Sequence, residues 1–310
     1  MPPSDNIDHR DWALLVLLSV LWGGSFFFNG VIVREVPPFT VVLLRVLFAA
    51  IMLLPLLKIY AIAWPRGVSG WMPFFAIGLF NNVLPFSLIV TGQTYIPSGL
   101  ASILNATTPL FTIAVMAAAG EETLNVRRVG GVLAGLVGVV MLHGNALGFE
   151  TGQSIGILLC LAGAFSYGLA ALVARRLPPS SAPLGTATFQ MLVSVVMVLP
   201  VAAWFDRPWR LPMPGAFTWL AVIGLAAVST ALAYIVFFQI LRRSGATNVM
   251  LVTLLIPVTA ILLGALLLGE PISSRELIGA LVIGSALLLI DGRLFGFAAR
   301  GRAGASSNKA

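Results

Sequence analysis

The sequence predicts an all-α integral membrane protein of ten transmembrane helices, arranged as two inverted five-helix repeats. Three observations carry that prediction. The 310 residues are 59% hydrophobic and only 9% charged, against roughly 25% charged residues in soluble domains. The apolar residues fall into ten runs, each near the ~20 residues that cross a bilayer. The two halves of the chain also carry the same landmarks at a nearly constant offset.

The runs lie at about 12–33, 39–61, 71–92, 96–119, 126–143, 154–176, 184–205, 215–238, 245–268 and 275–294. The first begins after Asp11 and lacks an Ala-x-Ala ending. It is longer than the ~7–15 residue core of a signal peptide, so it is expected to remain as a span. Short connections leave no room for a soluble catalytic domain. The chain therefore divides into an amino-terminal segment (1–11), a first repeat (12–143), a second, inverted repeat (154–294) and a tail (295–310) whose composition predicts disorder.

Within the fourth run, Leu104 to Phe111 reads Leu-Asn-Ala-Thr-Thr-Pro-Leu-Phe. Pro109 gives up a backbone hydrogen bond, and Asn105, Thr107 and Thr108 need partners, so this span should bend and face protein or a water-filled cavity. Pro257, in Leu-Leu-Ile-Pro-Val-Thr, predicts a second bend. Paired interruptions in two halves point to a transport site.

Charge fixes the orientation. The amino terminus, alternate loops and the carboxyl tail hold 13 of the 18 cations, whereas the opposite loops hold Arg34, Arg207, Arg210 and Arg275. Positive-inside places both ends in the cytoplasm. There is no basic stripe for nucleic acid. All eleven acids fall in loops, tails or span ends, so no buried carboxylate is expected, and His9 and His143 are peripheral. Proton-coupled pumps usually carry an intramembrane Asp, Glu or His, which leaves facilitated export down the substrate's gradient as the reading. Cys160 stands alone, and no His, Cys or carboxylate cluster calls for a metal or any other cofactor.

The internal repeat supports the inversion. At a spacing of 145, Trp22 aligns with Tyr167, Pro38 with Pro183, Arg45 with Gln190 and Pro55 with Pro200. Gln93 aligns with Gln239 at 146, Pro109 with Pro257 at 148, and Gly120-Glu121 with Gly269-Glu270 at 149. So steady an offset indicates duplication, and five spans per unit turn the second unit upside down. Inverted repeats put substrate at the midplane and let access alternate.

Polar and aromatic residues gather at that depth. Trp22, Ser25 and Asn29 share one helical face, as do Ser98, Ser102 and Asn105, and Thr230 and Tyr234. Asn81, Asn82 and Asn105 offer amides to a carboxylate and an ammonium. Trp22, Phe26, Tyr167 and Tyr234 can enclose an apolar side chain or meet an ammonium through their faces. Ser25 lines the same face. Each also has a plainer role in packing or in hydrogen bonding helices together. Gln93 and Gln239 lie nearer span ends, as gates or helix contacts. Gly23 and Gly24 permit close packing or act as a hinge, and Pro109 and Pro257 are the other hinge candidates. Arg45 is the only charge well inside a span. Such a charge is costly enough to be functional by default, yet it can also snorkel or fix its helix through carbonyls. Glu121 and Glu270 sit at turns, where helices end and are capped.

Trp22-Gly23-Gly24-Ser25-Phe26, Pro37-Pro38-Phe39-Thr40 leading to Arg45, and Leu268-Gly269-Glu270-Pro271 resemble the EamA family of the drug/metabolite transporter superfamily, over roughly residues 12 to 294. Ile96 to Ser102 and Leu104 to Phe111 are most similar to that family's amino-acid exporters. The resemblance implies ten spans, an inverted repeat, a bacterial-type inner membrane and export of small metabolites, amino acids foremost. Drug or nucleotide-sugar export is the alternative within the superfamily, though a polyanion would want several buried cations. An intramembrane enzyme would need a histidine at the depth of Ser25, and there is none. A channel would lack saturable counterflow.

Overall fold

The computed structural model describes residues 9–123, 125–143, 152–176, 182–249 and 252–291. The expected tail (295–310) and most of the amino-terminal segment lie outside them. Among the described residues the helices form ten rods: α1 (His9–Ile32), α2 (Pro38–Ile59), α3 (Gly67–Gly92), α4 (Ser98–Ala118), α5 (Val126–His143), α6 (Gly152–Arg176), α7 (Pro183–Phe205), α8 (216–249), α9 (Val252–Leu268) and α10 (Ser274–Asp291). Seven contain stretches long and apolar enough to cross a membrane, and α5 and α9 hold shorter apolar stretches.

Local chemistry explains the boundaries. Pro38 and Pro183 occupy the first turns of α2 and α7, where the missing N–H has no helical partner to lose. Gly120 (φ 74°) and Gly269 (φ 68°) end α4 and α9 in the left-handed conformation, which glycine adopts without a Cβ penalty.

Four irregularities mark the rods. Wide π turns interrupt α3 at Leu79–Val83 and α8 at Ala227–Leu232, and a third closes α9 at Gly264–Leu268. At Ala106 and Thr107, α4 breaks just before Pro109, as the proline and threonines predict. Pro257, by contrast, lies inside a continuous helix, Val252–Leu263, so the bend expected there is not a break. The connection expected at 239–244 is helical too, and α8 runs on to Val249. The matching connection of the first half contains Pro97, which caps α4. Its counterpart is Gly245, flanked by residues that tolerate helix.

The packing has a twofold pattern. α1 packs on α9 as α6 packs on α4, α3 on α6 as α8 on α1, and α2 on α8 as α7 on α3; α2 meets α7 and α5 meets α10. Exchanging the first five helices for the last five maps each contact onto another. Each half has an odd number of rods, so the second half runs in the opposite sense.

Two large apolar clusters build the interior, one joining α1, α4, α6, α9 and part of α8, the other joining α2, α3, α7 and the rest of α8. Tyr167 of α6 packs against both. Large apolar side chains also cover the outside: Leu133 and Val140 of α5 are 59% and 63% exposed, Leu266 of α9 78% and Leu281 of α10 70%. Water would penalise that surface and lipid would not.

One sequence expectation needs correction. Asp11, at the start of α1, is buried and forms an ion pair with Arg243 of α8 at 2.9 Å. Its position near a span end indicated an exposed group, but sequence depth does not reveal which neighbouring helix covers that end.

Candidate functional site

Where α3, α7 and α8 meet, the π turn of α3 presents two consecutive amides to the interior. A π turn holds one residue more than an α turn, which frees backbone groups and is common at functional sites. Asn82 is 0% exposed and donates from Nδ2 to Ser194 Oγ at 3.1 Å. Ser194 donates to the Gln190 carbonyl at 2.6 Å. Asn81 Nδ2 lies 3.1 Å from both Gln190 Oε1 and the Tyr234 hydroxyl, and that hydroxyl donates to Asn82 Oδ1 at 3.3 Å. Three helices from two halves are thus tied by neutral groups.

Arg45 of α2 makes a separate contact with α8. It is only 7% exposed, its Nε donates to Thr230 Oγ1 at 3.0 Å, and its guanidinium carbon lies 3.7 Å from the centroid of the Phe86 ring. Thr230 donates in turn to the Leu225 carbonyl, five residues back, at 2.8 Å. The π turn of α8 frees that carbonyl. In the first half, Ser166 of α6 likewise donates to the Phe80 carbonyl at 2.9 Å. Both widened turns therefore have their backbone completed by hydroxyls.

A second polar cluster lies at the end of the molecule where α1 finishes. Asn29 donates to Gln93 Oε1 at 3.0 Å, Gln93 donates to the Phe26 carbonyl at 2.9 Å, and Ser98 Oγ donates to the same carbonyl at 3.1 Å. Glu270 reaches in from the turn after α9 and accepts from the N–H groups of Ser98 at 3.1 Å and Gly99 at 3.4 Å. A carboxylate at a helix start satisfies orphan donors and complements the dipole.

The sequence candidates divide between these places. Asn81, Asn82 and Tyr234 enter the central network, with Tyr167 between the two apolar clusters. Trp22 lies against Phe237, ring centroids 5.5 Å apart. Ser25 bonds its own helix at the Trp22 carbonyl, 2.6 Å away. The Asn105 amide oxygen is buried without a partner. Phe26 and Gln93 belong to the far cluster, and Gln239 is half-buried. Gly23 lets α9 approach so closely that an added Cβ would come within 2.9 Å of Thr259 Cβ, whereas Gly24 faces Ser229 Oγ. Pro109 opens the second segment of α4, and Pro257 is buried within α9.

Sequence reasoning passed over Ser194 and gave Gln190 only its alignment with Arg45. The available signal was spacing, since Gln190 and Ser194 are four apart and share a face of α7. Among the described residues no cluster of His, Cys, Asp or Glu is arranged to hold a metal.

Known proteins resemble the chain along nearly all its length. The inner membrane transporter YedA of Escherichia coli, itself uncharacterized, is 28% identical over 279 residues, 89% of each chain. A protein of Salmonella typhimurium named a probable amino-acid metabolite efflux pump is 26% identical over 305 residues, covering 95% of this chain and 98% of its own. Protein PagO of Salmonella typhimurium is also 26% identical, over 290 residues, covering 89% and 92%. One crystal structure matches the fold with a TM-score of 0.62 at 20% identity, covering 91% of this chain and 97% of the other. Relatives named for an activity are transporters or efflux pumps rather than enzymes. The profile of the EamA-like transporter family matches residues 11–143 and 154–291, and the chain is a multi-span membrane protein belonging to that family.

Proposed function

We propose that the chain exports small zwitterionic metabolites, amino acids foremost, across a bacterial inner membrane by alternating access. The supporting observation is the network of Asn81, Asn82, Gln190, Ser194 and Tyr234, which joins the two halves through side chains that can exchange partners with a bound solute. Amides and a phenol can hydrogen-bond an ammonium and a carboxylate without requiring a net charge of either sign. Two relatives named probable amino-acid metabolite efflux pumps, 26% and 24% identical, favour the same substrate class.

In this reading residues 12–143 and 154–294 are the two units that rock, both termini are cytoplasmic by the positive-inside pattern, and the cluster around Glu270 is periplasmic. Asn29, Gln93, Ser98 and Glu270 then close the periplasmic side. Trp22, Phe26, Asn105 and Tyr167 surround the substrate once the network opens, with Ser25 beside them. Gly23, Gly24, Pro109, Pro257 and Gln239 serve the movement between states.

Purified protein in liposomes, tested for counterflow against a panel of amino acids with and without pH and sodium gradients, tests the proposal. Saturable counterflow of neutral amino acids needing no imposed gradient is the expected result. Uptake requiring a proton gradient would contradict the uncoupled mechanism, and absence of counterflow for the whole panel would contradict the substrate class.

A further inference from the structure

We propose that Arg45 is the carboxylate-binding residue of the central site, its two terminal guanidinium nitrogens forming the fork that takes one carboxylate group of the substrate. This rests on the amino-acid reading of the same site and deepens it by naming the group each side supplies.

Three observations carry the inference. A buried guanidinium in a membrane span demands a partner, and Arg45 has no carboxylate: the four ion pairs among the described residues involve Arg128, Arg175, Arg176 and Arg243. Its one side-chain hydrogen bond among those residues leaves through Nε to Thr230, and its flat face rests on Phe86. Anchored at Nε and by stacking, the group keeps Nη1 and Nη2 uncommitted to any acceptor among the described residues. An arginine that merely held helices together would spend those donors on carbonyl oxygens. A snorkelling arginine would reach the lipid headgroups, whereas this one is 7% exposed.

The remaining geometry fits one planar anion. Arginine's fork matches the spacing of carboxylate oxygens and binds them through two parallel hydrogen bonds. Tyr234, Asn81 and Asn82 are hydrogen-bonded to one another, and Tyr234 follows Thr230, the acceptor of Arg45, by four residues on α8. The repeat-related partner of Arg45 is Gln190, whose amide oxygen receives Asn81. One half thus supplies a cation and the other a neutral amide, which suits a solute with a single carboxylate rather than a dicarboxylate or a phosphate ester.

The test uses proteoliposomes loaded with L-leucine, L-phenylalanine or L-threonine, with counterflow competed by three probes for each: the amino acid, its amide and its deaminated acid. Wild type is expected to prefer the amino acid over its amide by at least about tenfold, and Arg45→Gln to reduce that ratio to about one. Arg45→Lys keeps the charge without the fork and should retain a weakened preference. An unchanged ratio in Arg45→Gln, or an equal loss for all three probes, would overturn the inference. Should Arg45→Gln fail to fold, judged by melting and monodisperse elution, an undiminished preference in Arg45→Lys would overturn it instead. Failure of the broader reading looks different: a wild type that takes the deaminated acid as readily as the amino acid leaves Arg45 standing while removing the ammonium requirement. A wild type competed by none of the probes overturns both.

Discussion

Glu270 accepts a hydrogen bond from the backbone N–H of Ser98 at 3.1 Å, so a carboxylate at the end of α9 caps the start of α4 in the other half. The repeat-related Glu121 does something else, pairing with Arg176 at 2.9 Å and Arg175 at 3.3 Å. Equivalent residues therefore hold different partners at the two ends of the molecule. Under the alternating-access mechanism proposed above, such asymmetry is expected of an inverted repeat resting in one of two states.

Replacing Glu270 by alanine is expected to cost about 1–2 kcal/mol, because two helix-start donors lose a charged acceptor, and Glu270→Gln should fall between. Thermal unfolding in detergent measures the loss. A cysteine placed at Asn29 should at the same time react faster with an impermeant maleimide in the alanine variant.

Glu121 predicts a pH effect. Its carboxyl is held below the usual carboxylate range, first by the hydrogen bond from Arg176 and further by the charges of Arg176 and Arg175, against some opposition from desolvation. A depressed folded-state pKa gives stability that is present above the unfolded value and lost as pH falls through the folded one. Glu121→Gln should therefore narrow the difference in melting temperature between neutral and acid pH, and an unchanged difference would remove Glu121 from the account.

Asn82→Ala removes one of two buried partners from both Ser194 and the Tyr234 hydroxyl and is expected to cost about 1–3 kcal/mol. The effect of combining it with Ser194→Ala should be less than additive, since both remove the same bond. Melting of the single and double variants tests that coupling. Counterflow in Asn82→Ala is expected to drop about tenfold or more.

Gly23→Ala pushes a methyl into Thr259, whose hydroxyl bonds the Ser19 carbonyl of α1 at 2.8 Å. Overpacking of this kind costs about 1–3 kcal/mol. Thr259→Ala in the same chain should recover part of the loss, as read by a second melting curve.

Much of the architecture was legible because the bilayer imposes a length and composition on each span, while proline and glycine at fixed offsets expose the duplication. Pro38 with Pro183 and Gly120 with Gly269 mark equivalent helix starts and stops in the structure. Asn81, Asn82 and Tyr234 were legible as polar groups at span centres. Periodicity misleads where a π turn intervenes: Asn81 and Asn82 are sequence neighbours and should diverge by about 100° on an α-helix, yet both bond within one network. The partner of Glu270 was hidden for another reason. Ser98 is 172 residues away, and only the interlocking of the halves brings the two together.

The widened turns at Leu79–Val83 and Ala227–Leu232 also govern how each rod responds to insertions and deletions. Each holds a surplus residue, so a single-codon deletion there regularises the spiral instead of breaking it, at the price of re-aiming Asn81 and Asn82, or Ser229 and Thr230. The same deletion in an ordinary turn rotates every later side chain out of register with its neighbours. At these two places, loss of a residue separates the capacity to build the scaffold from the solute recognition proposed for the network.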